Sequence, residues 1–279
     1  MAGIAWVNGA LVPPEQAAIS PLDRGFLYGE GLFETMRAYR GRVFRLSQHL
    51  DRLFAGAQEL DLIPPPREYM TKAVEEALAA GSLTDASVRL TVTPGIDGDS
   101  PTLVVLVRPL ALPPPERYQH GCLAVSVPAA QVAATSLRRV KSLNYLDKLL
   151  AHRAAVQKGA QEAILVDPDG CVVEGAMRNL FAVIDGALVT PPLTRGFLPG
   201  ITRATVLEIA QQQSLPCAER DLPLTELYTA DEAFLTSSLA EILPIASVDA
   251  HPIGASAPGA ITRALTDGYR ALVAEELAP

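Results

Sequence analysis

Lysine is scarce in this chain, with four residues (Lys72, Lys141, Lys148 and Lys158) among 279. Positive charge as a whole is thin: 23 Lys and Arg stand against 31 Asp and Glu, for a formal net charge of −8. The arginines are scattered singly or in pairs, so the dense basic patch that nucleic-acid binding needs is missing. Cysteine occurs three times, at Cys122, Cys171 and Cys217. The odd number and wide spacing fit buried thiols in a reducing cytoplasm better than a disulfide framework or a zinc site. The four histidines show no metal-ligand spacing. No apolar run approaches the ~20 residues of a membrane span, and the N-terminus has no basic region followed by a long apolar one. No glycine-rich dinucleotide fingerprint, phosphate loop with lysine or nucleophile-elbow serine is present. What remains is 49% apolar and 19% charged, the composition expected of a soluble cytoplasmic globular protein with room for two moderate domains.

Turn chemistry organises the chain. "IAWVNGALVP" (4–13) sets two short apolar runs around Asn8-Gly9, a hairpin signal. "LFETMRAY" and "RVFRL" flank Arg40-Gly41 in the same way. "SQHLDRLFAGAQEL" (47–60) keeps helical apolar spacing behind a Ser47 cap, and 66–81 reads as a second helix. Strands follow at 87–95 and 101–110. The triple proline in "LALPPPERYQHG" predicts a stiff, extended linker, with a domain boundary near residue 115. Beyond it come a strand (122–129), a loop up to Lys141, and an amphipathic helix over 144–158 with Leu146, Leu149, Leu150 and Val156 on one face. Hairpins around "DPDG" and Asp185-Gly186, a glycine-led helix at "LPGITRATVLEIAQQQ", a helix near 223–228, a strand "EAFLTSS" and a C-terminal helix (259–276) complete the pattern. The expectation is two α+β domains, 1–115 and 116–279, with mainly antiparallel sheets and packed helices.

Taken one by one, the residues that could carry chemistry stay ambiguous. Lys141 stands just before a helix and is either a surface amine or a reactive one. Glu174 ends a strand in "VVEGAMRNLF". "GITR" (200–203) opens a helix, and the free N–H groups and dipole of a helix start attract phosphate. Arg52 could add a guanidinium to the same anion or simply ride the polar side of its helix. "TSS" (236–238) offers hydroxyls at a strand end.

The order "RVKSLNYL", "EAILVD…VVEGAMRNLF", "LPGITRATVLEIA", "DEAFLTSSLAEILPI" resembles the class IV aminotransferases, pyridoxal 5′-phosphate (PLP) enzymes of fold type IV. Branched-chain and D-amino-acid aminotransferases and aminodeoxychorismate lyase belong to that family. "DRGFLYGEGLFETMRAY" and "HLDRL" resemble its small domain, so the likeness runs from about residue 5 to residue 250. It implies a two-domain fold of the D-amino-acid aminotransferase type, with 116–279 as the PLP-binding domain. It implies that Lys141 holds PLP as a Schiff base and moves the Cα proton, and that Glu174 faces the pyridine nitrogen. Phosphate ligands would be Arg52, the N-terminus at Gly200, Ile201 and Thr202, and Ser237 and Ser238. Tyr145 would contact the cofactor's phenolic oxygen.

Substrate recognition would fall to Tyr28, an aromatic pocket position, and to Arg37 and Arg89 as carboxylate ligands. "TPGIDGDSP" lacks the arginine and histidine that well-known bacterial D-amino-acid aminotransferases carry after the strand at 87–93. The resemblance thus points to an aminotransferase acting on an amino acid and a 2-oxo acid. The alternatives are aminodeoxychorismate lyase, which releases 4-aminobenzoate and pyruvate, and an inactive PLP-fold binding protein. It also implies a homodimer, with no membrane or nucleic-acid partner.

Overall fold

The computed structural model describes residues 3–129 and 139–278. The chain divides into two units: 1–111 with 139–144 and 276–279, and 112–138 with 145–275.

In the first unit the Asn8-Gly9 turn, with both residues at positive φ, joins β1 (Ile4–Val7) to β2 (Ala10–Val12). A short helix, α1 (Arg24–Tyr28), follows, capped by the Asp23 carboxylate accepting from Gly25 N–H. Next come β3 (Leu32–Tyr39), β4 (Arg42–Val43), α2 (Leu46–Glu59), α3 (Arg67–Gly81), β5 (Ala86–Thr93) and β6 (Thr102–Pro109). The strands form one antiparallel sheet in the order β2-β1-β6-β5-β3-β4. Alternation along β3 sends Leu32, Met36 and Ala38 into the core with Leu50 and Leu53 of α2 and Met70 and Val74 of α3. The opposite face carries Phe33, Thr35 and Arg37.

The second unit begins with α4 (Pro115–His120) and β7 (Cys122–Pro128). Then follow α5 (Leu146–Gln157), β8 (Glu162–Val166), β9 (Val172–Gly175), β10 (Asn179–Ile184), β11 (Ala187–Thr190), α6 (Ile201–Gln212), β12 (Cys217–Glu219), α7 (Leu224–Leu227), β13 (Glu232–Ser237), β14 (Glu241–Val248), β15 (His251–Pro252) and α8 (Ala260–Glu276). Its sheet runs β12-β11-β10-β13-β14-β7-β8-β9, with β15 on β14. Hairpin pairs are antiparallel, while β7 lies parallel to β8 and β14, and β11 parallel to β12. Among the described residues no helix is long and apolar enough to cross a membrane.

Several expectations need correction. Ser47 is not the cap of α2: the helix starts one residue earlier, behind Arg45 in the left-handed region. The proline linker is only partly extended, because Pro115 sits at the first position of α4, where a missing N–H costs nothing. The expectation gave residues 21–31 no element, and α1 (Arg24–Tyr28) forms there. The leucine row of α5 points the other way: Leu146, Leu149, Leu150 and Val156 are exposed, and the helix approaches its sheet on Ala151 and Ala155 against Val125, Val127 and Ala163. Small side chains allow the closer approach, and closeness won over hydrophobic bulk. The stretch 139–144, expected in the second domain, packs in the first unit. Phe33 N–H donates to Lys141 C=O at 2.9 Å and Leu143 N–H to Gly31 C=O at 2.9 Å, an edge pairing that helix spacing does not announce. Of the expected loop up to Lys141, residues 130–138 lie outside those described.

Candidate active site

Glu34 belongs to the core-facing row of β3 and is fully buried. A carboxylate there is tolerable only with cations and donors around it. The α2 helix supplies both at i, i+3 spacing. His49 Nδ1 stands 2.7 Å from Oε2, Arg52 Nε–H donates to Oε1 at 2.8 Å, and Arg52 Nη2–H donates to Oε2 at 2.6 Å. Burial disfavours the Glu34 anion, but the charges and hydrogen bonds of Arg52 and His49 outweigh it and take its pKa down to about 2. Burial pulls His49 below the usual histidine range despite the attraction of Glu34, so the ring is neutral at pH 7. Arg52 is thus locked by a two-point fork.

On the other face of β3, the Lys141 ammonium lies 4.6 Å from the centroid of the Phe33 ring and the Arg89 guanidinium carbon 3.7 Å from it. Arg89 stands opposite Thr35 in the β3–β5 register, and Arg37 opposite Ser87 with its guanidinium 4.5 Å from the Tyr39 ring. Arg37, Arg89 and Lys141 therefore gather cationic groups around two aromatic rings of one strand. That arrangement is suited to carboxylates. Tyr28 ends α1, exposed, under the Arg24 guanidinium at 5.3 Å.

In the second unit Glu174 is 4% exposed on β9, opposite Leu165 of β8. Lys148 Nζ donates to Glu174 Oε1 at 2.7 Å and sits 5.7 Å from the centroid of the Tyr145 ring. Burial alone would lower the Lys148 pKa, but the negative charge and hydrogen bond of Glu174, with Tyr145 and Asp147, raise it above the usual lysine value. Lys148 is accordingly a fixed ammonium, while Glu174 has a permanent cationic neighbour.

The N-terminus of α6 has Gly200 at its cap with no side-chain cap bond. Asn179, the first residue of β10, organises this corner: its Nδ2–H donates to Leu198 C=O at 3.0 Å, and it pairs across the sheet with Thr236. A Cβ on Gly200 would fall 1.9 Å from Asn179 Oδ1, so only glycine lets the helix start come this close. Thr202 and Thr236 are buried, and the Thr236 hydroxyl has no hydrogen-bond partner among the described residues. Ser237 Oγ accepts from Ala240 N–H at 3.3 Å and braces the β13–β14 turn; Ser238 lies half-buried beside it. Uncapped helix amides and a buried hydroxyl are a donor set fit for phosphate, and an anionic, buried Glu174 fits a protonated pyridine. The residues present therefore suit PLP.

Lys141, Arg52, Arg37 and Arg89 thus fall in the first unit, with Tyr145, Glu174, Gly200, Thr202 and Ser238 in the second. Sequence reasoning missed Glu34, His49, Lys148 and Asn179. Glu34 left a trace, an acid in an otherwise apolar row of period two; Lys148 and Asn179 left none.

Residues 31–248 match the family model for amino-transferase class IV. A Methanocaldococcus jannaschii protein, provisionally named a branched-chain-amino-acid aminotransferase, is 39% identical over 95% of this chain and 94% of its own length. The D-alanine aminotransferase of Bacillus licheniformis is 32% identical over 92% of each chain. Among solved structures, the Escherichia coli branched-chain amino acid aminotransferase superposes with a TM-score of 0.90, at 30% identity over 98% of this chain and 95% of its own. A hypothetical aminotransferase from Mycobacterium tuberculosis, solved in a PLP-bound form, superposes with a TM-score of 0.87, at 25% identity over 98% of this chain and 99% of its own.

Proposed function

The chain belongs to the amino-transferase class IV family, and we propose that it uses PLP, held by Lys141, to exchange an amino group between an aliphatic amino acid and a 2-oxo acid. The observation that carries this reading is the buried, anionic Glu174 with its ammonium neighbour at 2.7 Å. When bound, PLP supplies an electrophilic aldehyde and a ring that accepts the electrons freed at Cα. Lys141 Nζ would be the amine that holds the cofactor, and the same amine would carry the Cα proton. Glu174 would keep the ring nitrogen protonated. By the family resemblance the phosphate would be held by the amides of Ile201 and Thr202 and the hydroxyls of Thr202 and Ser238, and Arg52, aimed by Glu34, would be a further phosphate ligand. Tyr145 would contact the phenolic oxygen. Arg37 and Arg89 take the substrate carboxylate, with Tyr28 beside the side-chain pocket.

Branched-chain substrates are favoured because the M. jannaschii and E. coli relatives carry that name and "TPGIDGDSP" lacks the D-specific arginine and histidine. The M. jannaschii, B. licheniformis and E. coli relatives are all named aminotransferases, and no observation favours the lyase. We place the enzyme in the cytoplasm, where its three thiols stay reduced.

The test is an absorbance titration of the PLP-loaded protein with L-valine, L-leucine and D-alanine in turn. The band near ~410–420 nm should convert to one near ~330 nm with the L-amino acids, and Lys141→Ala should lack the starting band. Conversion by D-alanine alone would overturn the substrate assignment, and conversion by no amino acid would overturn the aminotransferase reading for this chain.

A further inference from the structure

We infer that Lys148 is a positioning residue for Glu174, fixing one carboxylate oxygen and thereby setting the proton affinity that Glu174 presents to the ring nitrogen of PLP. The inference rests on the reading of Glu174 as the ring's partner. It starts from placement. Lys148 is the third residue of α5, one turn beyond Tyr145, and its side chain keeps only 15% of its surface exposed. Burying an ammonium is unfavourable unless it meets an anion, and the anion it meets is Glu174 Oε1 at 2.7 Å. A cleft of about 320 Å³ opens on the pair, lined also by Val127, Leu150, Leu165 and Val173.

Asp147 of α5 and Tyr145 at its cap act on Lys148 in the same direction as Glu174. The cleft-lining residues of β7 and β8, Val127 and Leu165, are apolar. A proton can reach Glu174 only by defeating the attraction of the ammonium. With the ammonium gone, Glu174 would take up a proton at higher pH and lose its ability to accept from a protonated ring nitrogen.

The experiment titrates full-length protein with PLP across the pH range, following bound cofactor by absorbance after equilibrium dialysis. Wild type, Lys148→Met, Lys148→Arg and Glu174→Gln are compared. The titrations of PLP itself are common to all variants and cancel in the comparison. The expected result for Lys148→Met is an acid midpoint for loss of affinity shifted up by about one pH unit. At the alkaline end it should bind no more weakly than wild type, and Lys148→Arg should restore the midpoint. A packing defect would instead weaken binding at every pH and leave the midpoint in place. Glu174→Gln should cost at least about tenfold above the wild-type acid midpoint and lose that pH dependence, and adding Lys148→Met to it should change nothing further. An unshifted midpoint in Lys148→Met, with Glu174→Gln still weak, overturns the role of Lys148 alone. Wild-type binding by Glu174→Gln overturns the reading of Glu174 and this inference with it. If Lys148→Met fails to melt cooperatively, Lys148→Gln, which keeps a donor but no charge, carries the same prediction.

Discussion

At the scale of single residues, a few carboxylates of this protein, Glu34 and Glu174 among them, are buried. Glu34 carries a fully buried carboxylate held at a pKa of about 2 by Arg52 and His49. Its unfolded value is about 4.3, so the folded state binds fewer protons than the unfolded one below that pH. The stability it contributes is complete above about pH 4.3 and drains away as pH falls toward 2. His49 is also depressed, below its ordinary value of 6.5, and the same sign applies: stability starts to fall once pH drops below about 6.5. Thermal unfolding should therefore weaken in two stages, from His49 first and from Glu34 last. In His49→Gln, whose amide can still donate to Glu34, the slope of Tm between pH 7 and pH 5 should flatten while the acid-end collapse persists. An unchanged slope would show that His49 titrates as it does in the unfolded chain. Glu34 was half legible in the sequence, since "LFETMRAY" alternates and an acid at a core position demands a partner. Its partners were not, because which face of α2 meets β3 is decided by packing across the sheet.

At the scale of elements, the start of α6 and the face of α5 show how contact distance overrides pattern. Gly200 was legible as a helix opener, yet the reason for glycine lies in Asn179, whose Oδ1 would stand 1.9 Å from any Cβ there. Gly200→Ala must push the helix start off its seat. The expected loss is ~1–3 kcal/mol in stability, with PLP affinity reduced at least about tenfold if the amides of Ile201 and Thr202 hold the phosphate. Asn179→Ser in the same chain should recover part of both, read by thermal melting and PLP titration; no recovery would mean that the clash lies elsewhere. For α5, the leucines suggested burial by their spacing, but the alanines make the sheet contact. Helical periodicity reports that one side of a helix is apolar, not what covers it.

At the scale of the whole molecule, surface apolarity has to be accounted for. Phe26 is 74% exposed, Leu146 62% and Leu150 52%. Monomeric proteins rarely leave such side chains in water together on one element, as α5 does with Leu146, Leu149 and Leu150. Their exposure supports the homodimer proposed from the family resemblance. Sedimentation velocity at micromolar concentration should find a dimer, and Leu146→Glu with Leu150→Glu should shift it toward monomer while far-UV circular dichroism stays unchanged. A wild-type monomer would remove the proposal.

The sequence alone was enough for the α+β class, the hairpins at Asn8-Gly9 and Asp185-Gly186, the family, and the set of residues to suspect, because turn chemistry, periodicity and ordered motifs are local or linear properties. Only the tertiary structure joined Lys148 to Glu174 across 26 positions and Arg52 to Glu34 across 18, and turned the leucines of α5 outward. Those outcomes depend on the burial cost of a charge and the closeness of two surfaces, and neither quantity exists until the chain has folded.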